Sequence, residues 1–228
     1  MNRTDLLSKR LKGAVIRIIG RQHANRLSAP YYDWRARCRT RAFLAHLPPS
    51  GLRLNLGCGY RPLPGWVNVD RARGPAVDVV WDLRHPLPFS SDSFLAIFCE
   101  HVLEHLTKPD AADLVRECRR ILQPGGVIRL STPDAERFLR SYATDRSFLF
   151  HPGFAEAVEM PLDRINLMMR EFGQHLWVYD ADSLVFLLQR AGFSKVIPQA
   201  FGQSIHPLMK DIDSSAREFE SLYVEATK

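Results

Sequence analysis

The chain has 228 residues, of which 46% are hydrophobic and 25% are charged, as in a folded domain with an appendage. These proportions exclude a disordered chain and a fibrous repeat as descriptions of the whole molecule. No apolar run approaches the roughly 20 residues that span a bilayer, and the first residues lack the features of a signal peptide, so we expect a cytoplasmic protein. The four cysteines form no C-x-x-C pair, so neither a zinc ribbon nor a disulfide framework is expected.

The net charge of +6 is unevenly distributed along the chain. The first 46 residues contain 11 of the 31 Lys and Arg residues but only two acidic residues, whereas the remainder is slightly acidic. We therefore interpret residues 1–50 as a basic helical extension and residues 51–228 as a separate domain. The cluster Pro48–Gly51 marks the boundary, because proline and glycine interrupt helices.

Two helices are predicted in this extension. Within residues 6–19, apolar side chains recur at steps of three and four, which indicates an amphipathic helix with Lys and Arg on its other faces. A second, Arg-rich helix is predicted from about Tyr31 to His46. Two interpretations are open for residues 1–46: they cover part of the domain core, or they contact an anionic membrane or another polyanion. A membrane contact would place the chain at the inner face of the membrane.

Beyond this extension, short β-prone runs alternate with helical ones, which predicts a parallel sheet with crossover helices. A final run alternates apolar and polar residues, as a terminal strand would. The predicted strands are Leu52–Leu56, Trp66–Asp70, Val77–Trp81, Phe94–Cys99, Gly126–Thr132 and Ser221–Ala226.

Two helices are predicted between these strands. The first follows Pro109 and ends at the Pro-Gly-Gly turn that begins at Pro124. The second is capped by Asp180 or Asp182 and is closed by Gly192. The apolar residues of 144–178 follow neither the helical period of about 3.6 residues nor the strand period of about two. We therefore expect an irregular or helical insertion that serves as a lid or binding loop.

The strongest functional signal follows the first predicted strand. Gly57 and Gly59 lie at its carboxyl end, where open α/β folds bind ligands and where glycine lets backbone N–H groups approach them. Asp70 ends the next strand, and its carboxylate can accept hydrogen bonds from both hydroxyls of a ribose. After a further strand, the carboxylate of Asp82 and the N–H of Leu83 can pair with the donor and acceptor edges of an adenine.

The spacing of these residues disfavours a dinucleotide. Pro62 stands where the dinucleotide fingerprint requires a third glycine, and the ribose acid comes earlier than the expected spacing of about 20 residues. A nucleoside without phosphates that carries a charged amino-acid tail suits the loop better than NAD does. That description fits S-adenosylmethionine.

A known family shares these features in the same order. Six short motifs follow one another between about Leu52 and Asp134, namely Leu54-Asn55-Leu56-Gly57-Cys58-Gly59, Val67-Asn68-Val69-Asp70, Asp82-Leu83, Pro86-Leu87-Pro88-Phe89, Glu100-His101-Val102-Leu103-Glu104-His105-Leu106 and Leu122-Gln123-Pro124-Gly125-Gly126. Together they resemble the class I S-adenosylmethionine-dependent methyltransferases, specifically the small-molecule branch related to ubiquinone and menaquinone methylases. The resemblance implies a Rossmann-like, seven-stranded, mostly parallel sheet with helices on both faces and an antiparallel last strand.

The resemblance also implies roles for individual residues. Gly57 and Gly59 would line the methionine moiety, and Glu100 would lie beside the reacting methyl group. Only six residues separate Gly59 from Trp66, too few for the helix that the family usually has there. The candidate cofactor-binding residues are Asn55, Gly57, Cys58, Gly59, Asp70, Asp82, Leu83 and Glu100, with Cys58 interpreted as a small filler rather than a reactive thiol.

One motif matches a second pattern as well. Residues His101 to His105 read H-x-x-E-H, which occurs in inverted zinc peptidases, and on an α-helix the two histidines would share a face. The segment directly follows a strand, however, and Pro109 ends it within about two turns. The methyltransferase resemblance accounts for the same residues, so we expect no metal.

Methyl transfer requires alignment of donor and acceptor and, for a hydroxyl acceptor, a general base. The candidates for this base are His175, which lies in the variable acceptor region, and His101 beside the methyl group. A structural role for His175 is the alternative. We predict O-methylation of a small-molecule, glycan-linked or lipid-linked acceptor. An RNA methylase steered by the basic extension and a cofactor-binding scaffold without turnover are the rival predictions.

Overall fold

The structure is a computed structural model that describes residues 36–228. Contacts divide the chain into two units, Met1–Ala45 and His46–Lys228. In the first unit, residues 36–45 are described and helical, within the second helix predicted for the extension. The helix predicted over residues 6–19, and the start of the second predicted helix, lie outside the described residues.

The second unit is built on a seven-stranded sheet. Its strands lie in the order β3-β2-β1-β4-β5-β7-β6. β7 pairs antiparallel with both of its neighbours, whereas the other strand pairs are parallel. The predicted Rossmann-like sheet with an antiparallel last strand is therefore confirmed. The strands are β1 (Leu52–Leu56), β2 (Val67–Asp70), β3 (Val79–Val80), β4 (Phe94–Glu100), β5 (Leu122–Pro133), β6 (Ser194–Gln199) and β7 (Ser221–Thr227).

Several strand boundaries differ from the predicted ones, and one strand was not predicted. β3 is shorter than predicted, and β5 begins at Leu122 rather than at Gly126. The sequence analysis missed β6, which is largely exposed, contains Pro198 and has Lys195 at a positive φ of 46°. β6 lies at the edge of the sheet, where proline is tolerated because one side of the backbone has no partner strand. Such a strand lacks the apolar alternation that would reveal it.

Helices pack around this sheet, and side chains cap the N-termini of the first and the last. The first begins after Thr107, whose hydroxyl accepts a hydrogen bond from the N–H of Asp110. The last begins after Asp180, which forms a capping box with Ser183. None of the helices in residues 36–228 has the length and apolar character needed to span a bilayer. The helices of the second unit are α1 (Lys108–Ile121), α2 (Ala135–Ala143), α3 (Pro161–Arg170) and α4 (Ala181–Arg190).

The predicted insertion, residues 144–178, is largely helical. It contains the 3-10 turn Arg146–Phe150, then α3, then the 3-10 turn Glu171–Gly173. Because α2 follows β5 directly, this layer stands at the carboxyl end of the parallel strands, where open α/β sheets bind ligands. Together with α2 the insertion has an apolar core of its own, formed by Ala135, Phe138, Leu149, Ile165 and Met168.

An ionic network holds the segment before β7 against the sheet. Arg129 of β5 is fully buried, and its Nε atom donates to Oδ1 of Asp213 over 2.7 Å. Its Nη1 atom donates to Oε1 of Glu225 over 2.7 Å and to the carbonyl of Gln203 over 2.8 Å. The guanidinium therefore joins β5, β7 and the loop between β6 and β7, and every charge in the network has an opposite partner.

Candidate active site

The loop after β1 depends on its two glycines. Gly57 and Gly59 have positive φ angles of 65° and 49°, a region that favours glycine. A Cβ atom on Gly57 would lie 2.2 Å from Cγ2 of Val102, so a larger residue there collides with the segment after β4. A Cβ atom on Gly59 would have no close neighbour, its nearest contact being the Gly57 carbonyl at 4.0 Å. The first glycine is thus required by packing, and the second faces open space.

The carboxylate of Asp70 joins this glycine loop to the end of β2. Its Oδ2 atom accepts a hydrogen bond from the N–H of Gly59 over 2.8 Å, and its Oδ1 atom accepts one from the N–H of Ala72 over 2.6 Å. The N–H of Cys58 donates to the carbonyl of Val69 over 3.0 Å. Hydrogen bonds therefore connect Gly59 directly to Asp70, and connect Cys58 to the residue before Asp70.

The thiol of Cys58 belongs to the packing of this loop. Burial raises the pKa of Cys58 to about 11, and the negative charges of Asp70 and Asp78 add to the shift. The side chain is therefore a neutral thiol near pH 7, which agrees with its interpretation as a small filler.

Two further predicted residues use their side chains inside the protein. Asn55 is buried, and its Nδ2 atom donates to the carbonyl of Arg61 over 3.1 Å and to Oδ1 of Asn68 over 3.0 Å. Glu100, at the end of β4, accepts from Nη1 of Arg61 over 3.0 Å and from the N–H of Ser214 over 2.9 Å. Both side chains hold the 57–61 loop in place from either side.

The predicted adenine-binding pair follows β3 on the neighbouring side of β2. The N–H of Trp81 donates to the carbonyl of Asp70, so this segment runs beside the ribose candidate. Leu83 is buried, whereas the carboxylate of Asp82 accepts a hydrogen bond from Nε of Arg84 over 2.9 Å. That hydrogen bond and the positive charge of Arg84 lower the pKa of Asp82 to about 2, so Asp82 is ionised at neutral pH.

The segment after β4 does not form an α-helix. His101 has a positive φ of 51°, and a 3-10 turn follows at Leu103–His105, so His101 and His105 do not share an α-helical face. The Nε2 atom of His101 lies 2.6 Å from Oγ of Ser221, and its Nδ1 atom lies 3.2 Å from Oε1 of Glu104. Both ring nitrogens of this predicted catalytic residue therefore face protein side chains.

A cavity of about 320 Å³ opens beside the end of β4, between the sheet and the helical insertion. Aromatic and charged side chains share its wall, so the cavity is neither purely apolar nor purely ionic. It contains both predicted catalytic histidines. The lining includes His101, Glu104, His105, Phe154, Phe172, His175, Glu171 and Arg217.

His175 forms a cluster in this cavity with residues that the sequence analysis did not select. The N–H groups of Leu176 and of the residue after it donate to the Glu104 carbonyl, which draws the insertion onto the segment after β4. The rings of His105 and His175 consequently meet edge to face, with centroids 4.9 Å apart. Oε2 of Glu171 lies 3.2 Å from Nε2 of His175 and 3.9 Å from Nε2 of His105. The H-x-x-E-H motif had singled out His105, but no pattern had indicated Glu171.

The carboxylate of Glu104 lies in the same wall and is almost completely buried, with 1% of the residue exposed. Among the described residues, neither of its oxygens has a hydrogen-bond partner. Burial raises the pKa of Glu104, but the contacts with His101, with the backbone and with the charge of His105 together lower the pKa overall. The cavity therefore contains a buried anion.

Comparison with known proteins decides the family. A family model described as a methyltransferase domain matches residues 22–197, which is more than half of the chain. The chain belongs to this methyltransferase family. The assignment confirms the resemblance to S-adenosylmethionine-dependent methyltransferases and the predicted cofactor, whereas the branch related to ubiquinone and menaquinone methylases stays a prediction.

Individual relatives of this methyltransferase agree with the assignment. A probable S-adenosylmethionine-dependent methyltransferase of Mycolicibacterium smegmatis is 41% identical over 68 residues, which are 30% of this chain and 26% of that protein. A SAM-dependent methyltransferase of Thermotoga maritima, described as a possible histamine N-methyltransferase, has a TM-score of 0.50 at 18% identity, over 90% of this chain and 97% of the other. The match to the first relative spans about a quarter of its length, and the second shows the shared fold.

Proposed function

We propose that this chain transfers the methyl group of S-adenosylmethionine to a hydroxyl oxygen of a small-molecule, glycan-linked or lipid-linked acceptor. The observation that carries the proposal is the cavity beside the carboxyl end of β4, because its wall contains His175 together with His101, the residue that directly follows the cofactor candidate Glu100. A cytoplasmic location is part of the proposal, with residues 1–46 bringing the chain to the inner face of the membrane when the acceptor is lipid-linked.

The residues at the strand ends fit this cofactor. An ionised carboxylate has about four lone-pair sites, and two of those on Asp70 are used by backbone N–H groups, which leaves two for the ribose hydroxyls. The open space at Gly59 admits the methionine portion, and Asp82 with Leu83 would hold the adenine. When bound, S-adenosylmethionine supplies an electrophilic methyl group on a positively charged sulfur.

The lining of the cavity favours an acceptor with several hydroxyl groups. Phe172 is exposed and offers an aromatic face against which the apolar face of a sugar ring can pack, whereas the guanidinium of Arg164 covers the ring of Phe154 at 3.8 Å. Glu171 and Arg217 offer hydrogen-bond acceptors and donors for hydroxyls in the same cavity. This combination supports a glycan more than a purely apolar acceptor.

A hydroxyl acceptor loses its proton during the transfer, and His175 is placed to assist. Its Nδ1 atom lies 2.6 Å from the Met168 carbonyl, so Nδ1 carries the ring proton and Nε2 is left with its lone pair. Both nitrogens of His101 face buried side chains, those of Ser221 and Glu104. Nε2 of His175 instead faces Glu171, whose side chain is 40% exposed. We therefore propose that His101 positions the segment after β4. His175 would act as the general base through its Nε2 atom.

Cofactor binding is tested with the variant Asp70→Asn. The substitution keeps the shape of the side chain but removes its charge and one acceptor oxygen. Hydrogen bonds to charged groups contribute about 1.5–3 kcal/mol, so we expect the Kd for S-adenosylhomocysteine to rise about 10-fold or more in isothermal titration calorimetry. Asp113→Asn, an exposed residue on α1, serves as the matched control and should bind like the unchanged chain. Equal affinities for both variants would contradict the assigned site.

The reaction itself is tested with radiolabelled S-adenosylmethionine and a cell lysate, followed by fractionation into lipid, glycan, protein and nucleic acid. We expect label in the glycan or lipid fraction, stable to mild base as an ether is, and at least about 100-fold less label with His175→Ala. Label in nucleic acid would favour the RNA-methylase alternative. No label in any fraction, although S-adenosylhomocysteine binds, would contradict the proposed activity and support a scaffold.

A further inference from the structure

The cavity contains a group of four side chains, Glu104, His105, Glu171 and His175, which form a histidine–carboxylate cluster. The Nδ1 atoms of both histidines face backbone carbonyls: that of His105 lies 3.3 Å from Gln174, and that of His175 lies 2.6 Å from Met168. A carbonyl can only accept a hydrogen bond, so each Nδ1 atom carries the proton of its ring. In the neutral form, both Nε2 atoms then present lone pairs.

These two lone pairs converge on a carboxylate. Oε2 of Glu171 lies 3.2 Å from Nε2 of His175 and 3.9 Å from Nε2 of His105. With neutral rings, three electron-rich atoms face one another and repel. A proton on the His175 ring would pair it with Glu171 but would still leave the lone pair of His105 facing the same oxygen. A cation between the three atoms would satisfy all of them at once.

Glu104 supplies a second, independent observation. It is almost completely buried, with 1% of the residue exposed, and among the described residues neither carboxylate oxygen has a hydrogen-bond partner, although Nδ1 of His101 lies 3.2 Å from Oε1. Even with the contact to His101, an ionised carboxylate buried to this degree has unused acceptor sites, which a cation or a further donor can satisfy. One ligand atom each from Glu104, His105 and His175 can be chosen so that all lie within 4.8 Å of one another.

We propose that the histidine–carboxylate cluster binds one divalent transition-metal cation, with zinc or manganese as the chemical class. Two imidazole nitrogens and carboxylate oxygens are a donor set typical of these ions, whereas magnesium prefers oxygen ligands alone. Ligand atoms of a four-coordinate zinc ion lie about 3.3 Å apart, given bonds of about 2.0–2.1 Å. The atoms of Glu104, His105 and His175, which lie within 4.8 Å of one another, would therefore draw together when the ion binds. Two carboxylates balance the charge of the ion.

The surroundings of the cluster have the features of a metal site. Histidine ligands commonly donate their second ring N–H to a carbonyl, which fixes the tautomer and the orientation of the ring. Here the carbonyl of Gln174 faces Nδ1 of His105, and the carbonyl of Met168 faces Nδ1 of His175. All four side chains line the cavity, so an oxygen of a bound molecule can reach a coordination position that the protein leaves open. That this molecule is the methyl acceptor rests on the proposed function, whereas binding of the cation does not. With the cation bound, Nε2 of His175 would be a ligand, and the cation would replace the free ring by lowering the pKa of the coordinated hydroxyl.

The expectation of no metal relied on the H-x-x-E-H motif alone, with His101 and His105 as the pair. The fold separates that pair and joins His105 to His175 instead, through the hydrogen bonds that tie residues 176 and 177 to Glu104. The inferred site is therefore a different ligand set from the one that the sequence motif suggested.

The test uses the untagged full chain, stripped with a chelator and dialysed, and titrated with Zn²⁺ by calorimetry and with Co²⁺ by visible absorption. We expect one tight site per chain, with d–d bands of Co²⁺ that indicate nitrogen and oxygen ligands. His175→Ala and Glu171→Gln should each weaken binding at least about 10-fold, since loss of even an outer partner has an effect of this size. His85→Ala, at an exposed histidine outside the cavity, should bind Zn²⁺ like the unchanged chain.

The possible outcomes separate this inference from the proposed function. S-adenosylhomocysteine should bind the stripped chain and the Glu171→Gln variant with unchanged affinity, which also shows that both are folded. Zinc affinity that is equal in all variants, or absent in a chain that still binds S-adenosylhomocysteine, would overturn the metal site. Tight binding of zinc without any methyl transfer would retain the site and contradict the proposed activity.

Discussion

At the scale of single residues, the glycine loop has two reasons to contain glycine, and the sequence shows only one of them. The sequence predicts Gly57 and Gly59 as positions where the backbone approaches a ligand. In the structure, Gly57 is also fixed by Val102, whose Cγ2 atom occupies the space that a Cβ would need. The collision cannot be read from the sequence, because the two residues belong to different strand ends that only the sheet brings together.

The variant Gly57→Ala separates steric from conformational effects. A positive φ costs a residue with a side chain about 1 kcal/mol, and forcing a methyl group against Val102 adds about 1–3 kcal/mol. Gly65→Ala is the matched control, because Gly65 has a φ of 77° but no atom lies within 4 Å of the point where its Cβ would stand. We expect Gly57→Ala to lower the free energy of unfolding in urea by clearly more than the control does. Equal losses would show that Val102 does not restrict the loop.

The histidine–carboxylate cluster could be predicted from the sequence only in part. His175 could be selected from the sequence because it lies in the insertion among aromatic residues, and the structure places it in the cavity. Its partners His105 and Glu171 could not be paired with it, since the pairing depends on backbone hydrogen bonds from residues 176 and 177 to Glu104. Patterns in a sequence report local periodicity, whereas this cluster is made by a contact between distant segments.

At the scale of elements, the strands with apolar character were predictable and the edge of the sheet was not. β1 and β4 are largely buried on both faces, which gives nearly continuous apolar runs. β6 is held by pairing with β7 and carries exposed residues and Pro198, so its composition resembles that of a loop. The insertion was recognised by its length and lack of period, but its three short helical segments have too few turns to show one.

The network around Arg129 is expected to control how the segment between β6 and β7 packs. Replacing this arginine with Met removes the partner of two buried carboxylates, Asp213 and Glu225. Breaking a buried ion pair in this way costs about 3–5 kcal/mol, because uncompensated charge stays buried. We expect a matching drop in the free energy of unfolding measured by urea denaturation.

The control for this prediction is Arg190→Met, at an exposed arginine that ends α4. A surface substitution of this kind changes stability by about 0.5 kcal/mol or less. If Arg129→Met unfolded at the same urea concentration as the control, the network would contribute nothing to the packing of the loop.

At the scale of the whole molecule, charge is segregated between the extension and the domain. The sequence places 11 basic residues in the first 46 positions, and the family match accounts for the fold of most of the remainder. The amphipathic pattern over residues 6–19 lies outside the described residues, so its partner is predicted from composition alone.

Binding to membranes tests this part of the chain. We expect the full chain to float with vesicles that contain anionic lipid and not with neutral vesicles, and to be released as salt screens the basic residues. Ile18→Glu places a charge in the apolar stripe and should abolish flotation. Ile197→Glu, at a partly exposed position on β6, is the control and should float normally. Equal recovery of the two variants would exclude the surface helix.

The strand order has a consequence for synthesis on the ribosome. β7 lies between β5 and β6 but is translated after both of them. Until residues 221–227 have left the exit tunnel, β6 has no neighbour in the sheet and one edge of β5 is open to other chains. Nascent chains of this protein therefore pass through a stage at which intermolecular strand pairing competes with completion of the sheet.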